Sequence, residues 1–473
     1  MAKLAVLVDI GSTFTKASAV NLKVPSLIAR VAAPTTAQDV SLGLKDALDK
    51  LKVLLIRAGF SAKEIDSARR LACSSAAGGL KMVAIGLVQD LTAKAARLAA
   101  LGAGARVLKT YSFQLTEEDR REIIELRPDI ILLTGGTDGG NSANILHNAR
   151  VLASLPEGVP VVLAGNRAAA AAVRGCFPQN FSIYTASNVM PQIGKLDVEP
   201  AREVIRQVFM EKIIYAKGLA RAGGLIEGIF MPTPAAVLRA GRLLSQGSPP
   251  LPGWGDLLIV DVGGATTDVH SLGLGLPTKT GVVLRGLPEP LAKRTVEGDL
   301  GVRVSVLSLV ESIGRERLQK ELGLREEELH KLVQRLDQQP ESLPQTEIER
   351  LFDRALGFHA IRIGVSRHAG TLTESYTPSG QVWIQEGKDL SQVNIIIGTG
   401  GVLVNSKEPH AMLRGAQKES NSSLELKPEK PRYFLDANYL LASAGLLSTV
   451  YPEAALEILE NSLKADELRR RGF

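Results

Sequence analysis

The chain has 473 residues, of which 45% are apolar, 22% charged and only 4% aromatic. That composition can bury a core over about two to four domains and excludes a disordered, collagen-like or fibrous chain. A net charge of +6 suits an anionic small ligand, and the scarcity of rings for base stacking argues against a nucleic-acid partner. Cys73 and Cys176 are too few for a disulfide framework or a zinc site, and the six histidines show no ligand spacing. No apolar run of about 18 residues is free of charge, so no membrane span is expected. The first apolar run is cut by Asp9 and has no cleavage pattern, so no signal peptide is expected and a cytoplasmic location follows.

In chain order, apolar runs that stop at glycine turns alternate with helical patterns. Leu4–Val8 runs into Asp9-Ile10-Gly11-Ser12-Thr13, and helices are expected over Ala37–Ala58 and Val88–Gly102. Ser74-Ser75-Ala76-Ala77-Gly78-Gly79 follows a short apolar run without the pattern of a hydrolase elbow. A helix over Thr116–Leu126 leads to a strand at Asp129–Leu133 and the turn Thr134-Gly135-Gly136-Thr137-Asp138-Gly139-Gly140. Asn141 or Ser142 then caps a helix over Ser142–Ser154. That turn suits an anion at the helix N-terminus or a plain strand–turn–helix connection. Val159–Leu163 ends at Ala164-Gly165-Asn166, and a helix follows over Glu199–Gly218.

Gly247–Gly253, with three prolines, marks a join between halves. Beyond it, Leu257–Val260 runs into Asp261-Val262-Gly263-Gly264, a helical pattern covers Ser308–Leu336, and Val393–Ile397 runs into Gly398-Thr399-Gly400-Gly401. The densely charged Arg315–Asp353 stretch reads as a solvated helical face or a partner-docking surface. Lys407–Arg432 reads as a long polar loop. Alternating strands and helices make the fold class α/β. The expected domains are a first lobe (1–104), an α/β insertion (105–190), a helical connection (191–255), a second lobe (256–406), and a polar loop with C-terminal helices packing back (407–473).

The chemistry lies in three of these turns. After Asp9, Gly11 lets the backbone turn tightly, and successive N–H groups with the Ser12 and Thr13 hydroxyls suit an anion; Lys16 adds a point charge. Asp261-Val262-Gly263-Gly264-Ala265-Thr266-Thr267-Asp268 repeats the logic. Two such turns, facing each other, would grip a polyphosphate, and carboxylates Asp9 and Asp261 would attract a hydrated Mg²⁺. Gly398, Thr399, Gly400 and Gly401 supply a third turn on which a base or ribose can lie. No P-loop pattern is present.

This ordered trio resembles the actin, heat-shock chaperone and sugar-kinase ATPase superfamily, with Lys16 at the offset where actin carries its phosphate-contacting lysine. Leu132–Asn141, Asp268-Val269-His270-Ser271, Arg294-Thr295-Val296-Glu297-Gly298-Asp299-Leu300-Gly301 and Leu435-Asp436-Ala437-Asn438-Tyr439 together look like the MutL/GlmL family, over nearly the whole chain. These are accessory proteins of adenosylcobalamin-dependent glutamate mutase and related mutases. The resemblance implies two ribonuclease H-like lobes, ATP and Mg²⁺ as cofactors, and mutase subunits as partners. It implies slow ATP hydrolysis coupled to exchange of damaged cobalamin, with Asp9, Lys16, Asp261 and Asp268 catalytic and Asp261 favoured over Asp268 to orient water. Ser74–Gly79 would then line the nucleotide cleft or simply connect elements.

Asp268-x-His270-x-x-Gly273 also matches a cobalamin-binding signature, but its companion elements are missing downstream. His270 is therefore expected on the return strand of a hairpin. A rival resemblance is to ATP-dependent hydantoinase/oxoprolinase-like amidohydrolases, whose first turn normally ends in aspartate where this chain has Lys16. A nucleotide sensor without turnover is a third reading.

Overall fold

The computed structural model describes residues 4–11, 14–36, 39–75, 80–156, 158–216, 225–227, 229–378, 380–419, 424–465 and 467–468. The chain divides into two compact units. One comprises Met1–Leu243, Gly247–Pro252 and Leu441–Leu459; the other comprises Leu244–Gln246, Gly253–Leu440 and Glu460–Phe473. The chain passes between them at the Pro/Gly-rich join, where β11 (Gly247–Ser248) and β12 (Leu251–Pro252) form a short hairpin, and again after Leu440 and Leu459.

The first unit is built on strands β1 (Leu4–Ile10), β2 (Phe14–Asn21), β3 (Ser26–Pro34), β4 (Arg69–Ser74) and β10 (Ile229–Pro232). Their order is β10-β4-β1-β2-β3. β1, β2 and β3 run antiparallel to one another in turn, whereas β4 and β10 are parallel to β1. All but one of β1's residues are buried, as expected of a strand covered on both faces. The helix Val40–Arg57 buries Leu44, Ala47, Leu51 and Leu55 at helical spacing, and Asp39 caps it by accepting from Ser41 N–H.

Between β4 and β10 the chain makes a second, all-parallel sheet from β5 (Lys81–Gly86), β6 (Arg106–Ser112), β7 (Ile130–Leu133), β8 (Val161–Leu163) and β9 (Ile183–Thr185). Its order is β6-β5-β7-β8-β9. An α/β insertion is expected at 105–190; the inserted sheet starts earlier, with β5 at Lys81. It has its own core, in which Ile85, Ile131, Leu133 and Val161 meet Ile145, Leu152 and Val173 from the helices.

The second unit has a main sheet of β13 (Leu257–Val262), β14 (Thr267–Leu272), β16 (Ala292–Glu297), β19 (Ile395–Thr399), β20 (Arg432–Leu435) and β21 (Glu467–Leu468). The order is β16-β14-β13-β19-β20-β21. Its first five strands repeat the first unit's directions: an antiparallel trio starting at β13, then β19 and β20 parallel to it. The chain is thus a duplicated ribonuclease H-like α/β fold, as the paired Asp-x-Gly turns predict. A small sheet of β15 (Val282–Arg285), β17 (Thr371–Thr377) and β18 (Gly380–Glu386) stands beside it.

Two expectations need correction. The helical pattern over Ser308–Leu336 is three helices, Val306–Ile313, Arg315–Leu322 and Glu326–Gln338. Gly314 (φ +92°) and Gly323 (φ +66°) adopt left-handed backbone and break it. Lys407–Arg432 is not wholly a loop, since Pro409–Leu413 is helical and continues as a short tight turn at Arg414–Ala416. Among the described residues, no helix is long and apolar enough to cross a membrane.

A polar network lies inside the second unit. His368 is fully buried, its ring held between Thr295 Oγ1 and Ser271 Oγ, each at 2.8 Å. The Lys293 Nζ donates to the His368 carbonyl at 2.7 Å. His270 is 1% exposed, and its Nδ1 has no partner among the described residues. Burial, aided by Arg294, lowers His270 from 6.5 to about 3; burial, with Lys293 and Lys388, also pushes His368 well down. Both rings stay neutral when folded, while the unfolded chain takes up protons below its ordinary histidine pKa. Stability is therefore full above about pH 6.5 and is lost as pH falls toward 3, at up to about 1.4 kcal/mol per pH unit for each histidine. The urea midpoint should drop between about pH 7.5 and 5.5, and His270→Gln should flatten that slope; equal slopes would contradict the assignment.

Candidate functional site

The same hairpin stands in both units. The Gly11 N–H donates to the Phe14 carbonyl at 3.1 Å, and the Gly263 N–H to the Thr266 carbonyl at 2.9 Å. A Cβ on Gly11 or Gly263 would lie 2.6 or 2.9 Å from that same oxygen, so the turn excludes a side chain there. Register completes the correspondence. Asp9 faces Lys16 across β1–β2, and Asp261 faces Asp268 across β13–β14. Buried Thr15 and Thr267 occupy equivalent places.

In the first unit, Asp9 ends a buried strand with its carboxylate held from three sides. Thr233 Oγ1 donates to Asp9 Oδ1 at 2.6 Å. Cys73 Sγ lies 3.6 Å from the same oxygen, and Lys16 Nζ is 3.7 Å from Oδ2. Burial first, then the Asp9 charge, pushes the Cys73 thiol well above its usual range. Cys73 is therefore a protonated wall of the site rather than a nucleophile. Ser12 and Thr13 lie outside the described residues, as do residues 76–79 of the Ser74–Gly79 turn.

In the second unit, the turn after Asp261 has its carbonyls occupied and its amides open. Val302 N–H donates to the Gly263 oxygen at 3.1 Å, and Arg303 and Val304 N–H groups donate to the Gly264 oxygen at 2.9 and 2.8 Å. Ser305 Oγ donates to the Ala265 oxygen at 2.8 Å. By contrast, the N–H groups of Gly264, Ala265 and Thr266 meet no acceptor among the described residues. Three successive amides without an acceptor among the described residues, with their carbonyls tied back, are an arrangement that can take an anion.

The loop that ties the carbonyls is itself anchored. Arg303 Nη2 pairs with Asp353 Oδ2 at 2.6 Å, with both side chains largely buried. Burial pushes the Asp353 carboxyl up, and Arg303 opposes this. Removing either partner would strand a buried charge at a cost of ~3–5 kcal/mol, whereas an exposed pair such as Lys50–Asp46 is worth ~0–1 kcal/mol.

Asp268, the alternative for orienting water, is already committed. Its Oδ1 accepts from Arg294 Nε at 2.8 Å and pairs with Arg294 Nη2 at 2.5 Å, while Thr266 Oγ1 donates to Oδ2 at 3.1 Å. His270 follows on the return strand, as expected, and is enclosed in the sheet.

The third turn adjoins the second. Asp261 is in register with Thr399 on the parallel neighbour β19. Gly400 has φ +104°, and a Cβ there would lie 2.3 Å from the Val262 oxygen. Thr399 Oγ1 donates to buried Asp436 Oδ2 at 3.4 Å, and the other Asp436 oxygen accepts from Leu440 N–H at 2.6 Å. Asp436 follows β20 as Thr233 follows β10, so each unit places a polar side chain just past its fifth strand. Sequence reasoning missed Thr233 and Arg303 as supports. The Pro232-Thr233-Pro234 helix start was the available signal for the former.

The glycine turn after β7 belongs to the inserted sheet. Ser142 takes the cap position of the helix Ala143–Ala153 without a side-chain bond, and Asn141 Oδ1 accepts from Asn144 N–H at 3.3 Å instead.

A family model described as "MutL protein" matches residues 5–463. A "Protein MutL" of Clostridium tetanomorphum is 47% identical over 459 residues, covering 97% of this chain and 98% of that protein. Among solved structures, the activator of 2-hydroxyisocaproyl-CoA dehydratase from Clostridium difficile with bound ADPNP is 10% identical at a TM-score of 0.32, covering 99% of this chain and 100% of that one. The ROK hexokinase from Thermus thermophilus is 13% identical at a TM-score of 0.28, covering 97% and 98%. Likeness at these scores says nothing about activity.

Gly400→Ala combines a disfavoured φ with a backbone clash and should cost about 2 kcal/mol or more. A Cβ on neighbouring Gly401 comes no nearer than 4.0 Å to Asn405, so Gly401→Ala should stay within about 0.5 kcal/mol. Urea unfolding of the two variants checks this; equal losses would show that the third turn is not packed on β13 as described.

Proposed function

The chain belongs to the MutL family, and on that premise we propose that it is an ATP-dependent, chaperone-like accessory protein that reactivates an adenosylcobalamin-dependent mutase of the glutamate-mutase type. It does so by promoting exchange of damaged cobalamin for intact coenzyme. The observation that carries the nucleotide part is the open nest at Gly264, Ala265 and Thr266 beside Asp261, with the same hairpin repeated beside Asp9 and Lys16.

The residues fit a magnesium nucleotide. Mg²⁺ keeps several waters and takes one or two carboxylates with phosphate oxygens, so Asp9 and Asp261 suffice without a dense ligand cluster. When bound, the ion supplies charge neutralisation at the phosphates. Lys16 and the amides of Gly264–Thr266 stabilise negative charge on the transferring group, and positioning with electrostatics does most of the work in phosphoryl transfer. Thr233 keeps the Asp9 carboxylate aimed, with Cys73 as a protonated neighbour. Asp261, at the end of the buried strand that leads into the turn, is the group given the role of orienting an attacking water, and Asp268 is held by Arg294. Gly398–Gly401 offers backbone for the adenosine. The mutase and cobalamin parts rest on the family resemblance. Nucleotide-dependent closure coupled to partner affinity is a general route by which such an ATPase can open a closed protein interface.

Mixing the protein with a cobalamin-inactivated glutamate mutase should release the bound corrin only with ATP and Mg²⁺. Asp261→Ala should lower phosphate release at least about 100-fold. Thr233→Val should lower it less, about tenfold, because the carboxylate remains but loses its aim. Normal hydrolysis by Asp261→Ala would remove the role given to that residue. Corrin retention with ATP present would remove the mutase assignment.

A further inference from the structure

The inserted sheet carries a cavity that takes no part in the nucleotide reading. It has a volume of about 440 Å³ and lies at the carboxyl ends of β7, β8 and β9. Ligands of open parallel sheets bind at that edge, and the volume falls within the range of small-molecule sites.

The walls are fixed before any ligand arrives. Buried Asn166 accepts from the Gly139 N–H (3.0 Å) and Ala168 N–H (2.9 Å) and donates to the Gly140 oxygen (3.0 Å). Buried Asn188 donates to the Gly136 oxygen and to Asp138 Oδ1, both at 3.0 Å. Asp138 Oδ1 also accepts the Arg167 N–H at 2.9 Å. The glycine turn after β7 and the loops after β8 and β9 are therefore one hydrogen-bonded frame.

Three charges face this cavity: Asp138, Arg167 and Asp197. Among the described residues, the Arg167 guanidinium and the Asp197 carboxylate have no ion-pair or hydrogen-bond partner. A purely anionic ligand would meet two carboxylates, and a purely cationic one would meet the guanidinium. A ligand bearing both charges satisfies the set, its carboxylate on the Arg167 fork and its ammonium toward Asp197 and Asp138. Leu163 and Pro191 add apolar wall for an aliphatic portion.

We propose that this cavity, framed by the loops after β7, β8 and β9, binds a small zwitterion of the α-amino acid class. This gives the Thr134–Asn141 turn a role as structural frame rather than as a phosphate loop.

The test titrates the full-length protein with each of the twenty L-α-amino acids by calorimetry and ligand-observed NMR. At least one should bind. Its deaminated and decarboxylated analogues should each bind at least about tenfold more weakly, since each loses one charged contact. Arg167→Gln and Asp197→Asn should each weaken binding about tenfold or more without moving the thermal midpoint, because neither side chain holds the frame. Asp138 is left intact because it does. No binding by any of the twenty, equal binding by a singly charged analogue, or wild-type affinity in both variants would overturn the proposal.

Discussion

A strand that ends in aspartate and doubles back through a glycine is the constraint on which both units are built. The Gly N–H bonds the carbonyl three residues on, at 3.1 Å in one unit and 2.9 Å in the other. That short bond fixes where the carboxylate stands, which residue faces it on the return strand, and which amides point outward. The supports then follow from strand order. The parallel neighbour brings Cys73 beside Asp9 and Thr399 beside Asp261. The element after the fifth strand brings Thr233 to Asp9 in one unit and Asp436 to Thr399 in the other.

The duplication is close in backbone and different in charge. Lys16 faces Asp9, whereas the equivalent position opposite Asp261 is Asp268. Two carboxylates facing each other would repel, and Arg294 on the next strand covers one of them. One turn has a cation near its carboxylate, and in the other the amides of Gly264, Ala265 and Thr266 meet no acceptor among the described residues. In the second turn, the buried Arg303–Asp353 pair holds the loop that occupies the carbonyls and so leaves the amides available.

Much of this was legible in the sequence, for a local reason. Apolar runs that stop at glycine turns declare buried strands within a few residues, which marks β1, β7, β8, β13 and β19, and the Asp-x-Gly form singles out β1 and β13. The two-lobed α/β fold with its insertion followed from the repeated pattern. Long-range placement was not legible. Thr233 lies 224 residues from Asp9, and only the fold brings them to 2.6 Å. Asp353 ends a charged stretch that reads as a solvated face or a docking surface, Arg303 lies outside that stretch, and the burial of their pair depends on tertiary packing. The breaks at Gly314 and Gly323 were missed because the apolar spacing continues on either side of each glycine.

The account turns on whether phosphates occupy the turns. A crystal structure with Mg²⁺ and a non-hydrolysable ATP analogue tests this most directly. It should show phosphate oxygens accepting from the amides of Gly264, Ala265 and Thr266, with the metal's water shell against Asp261. A nucleotide bound elsewhere, with those amides still facing solvent, would contradict it.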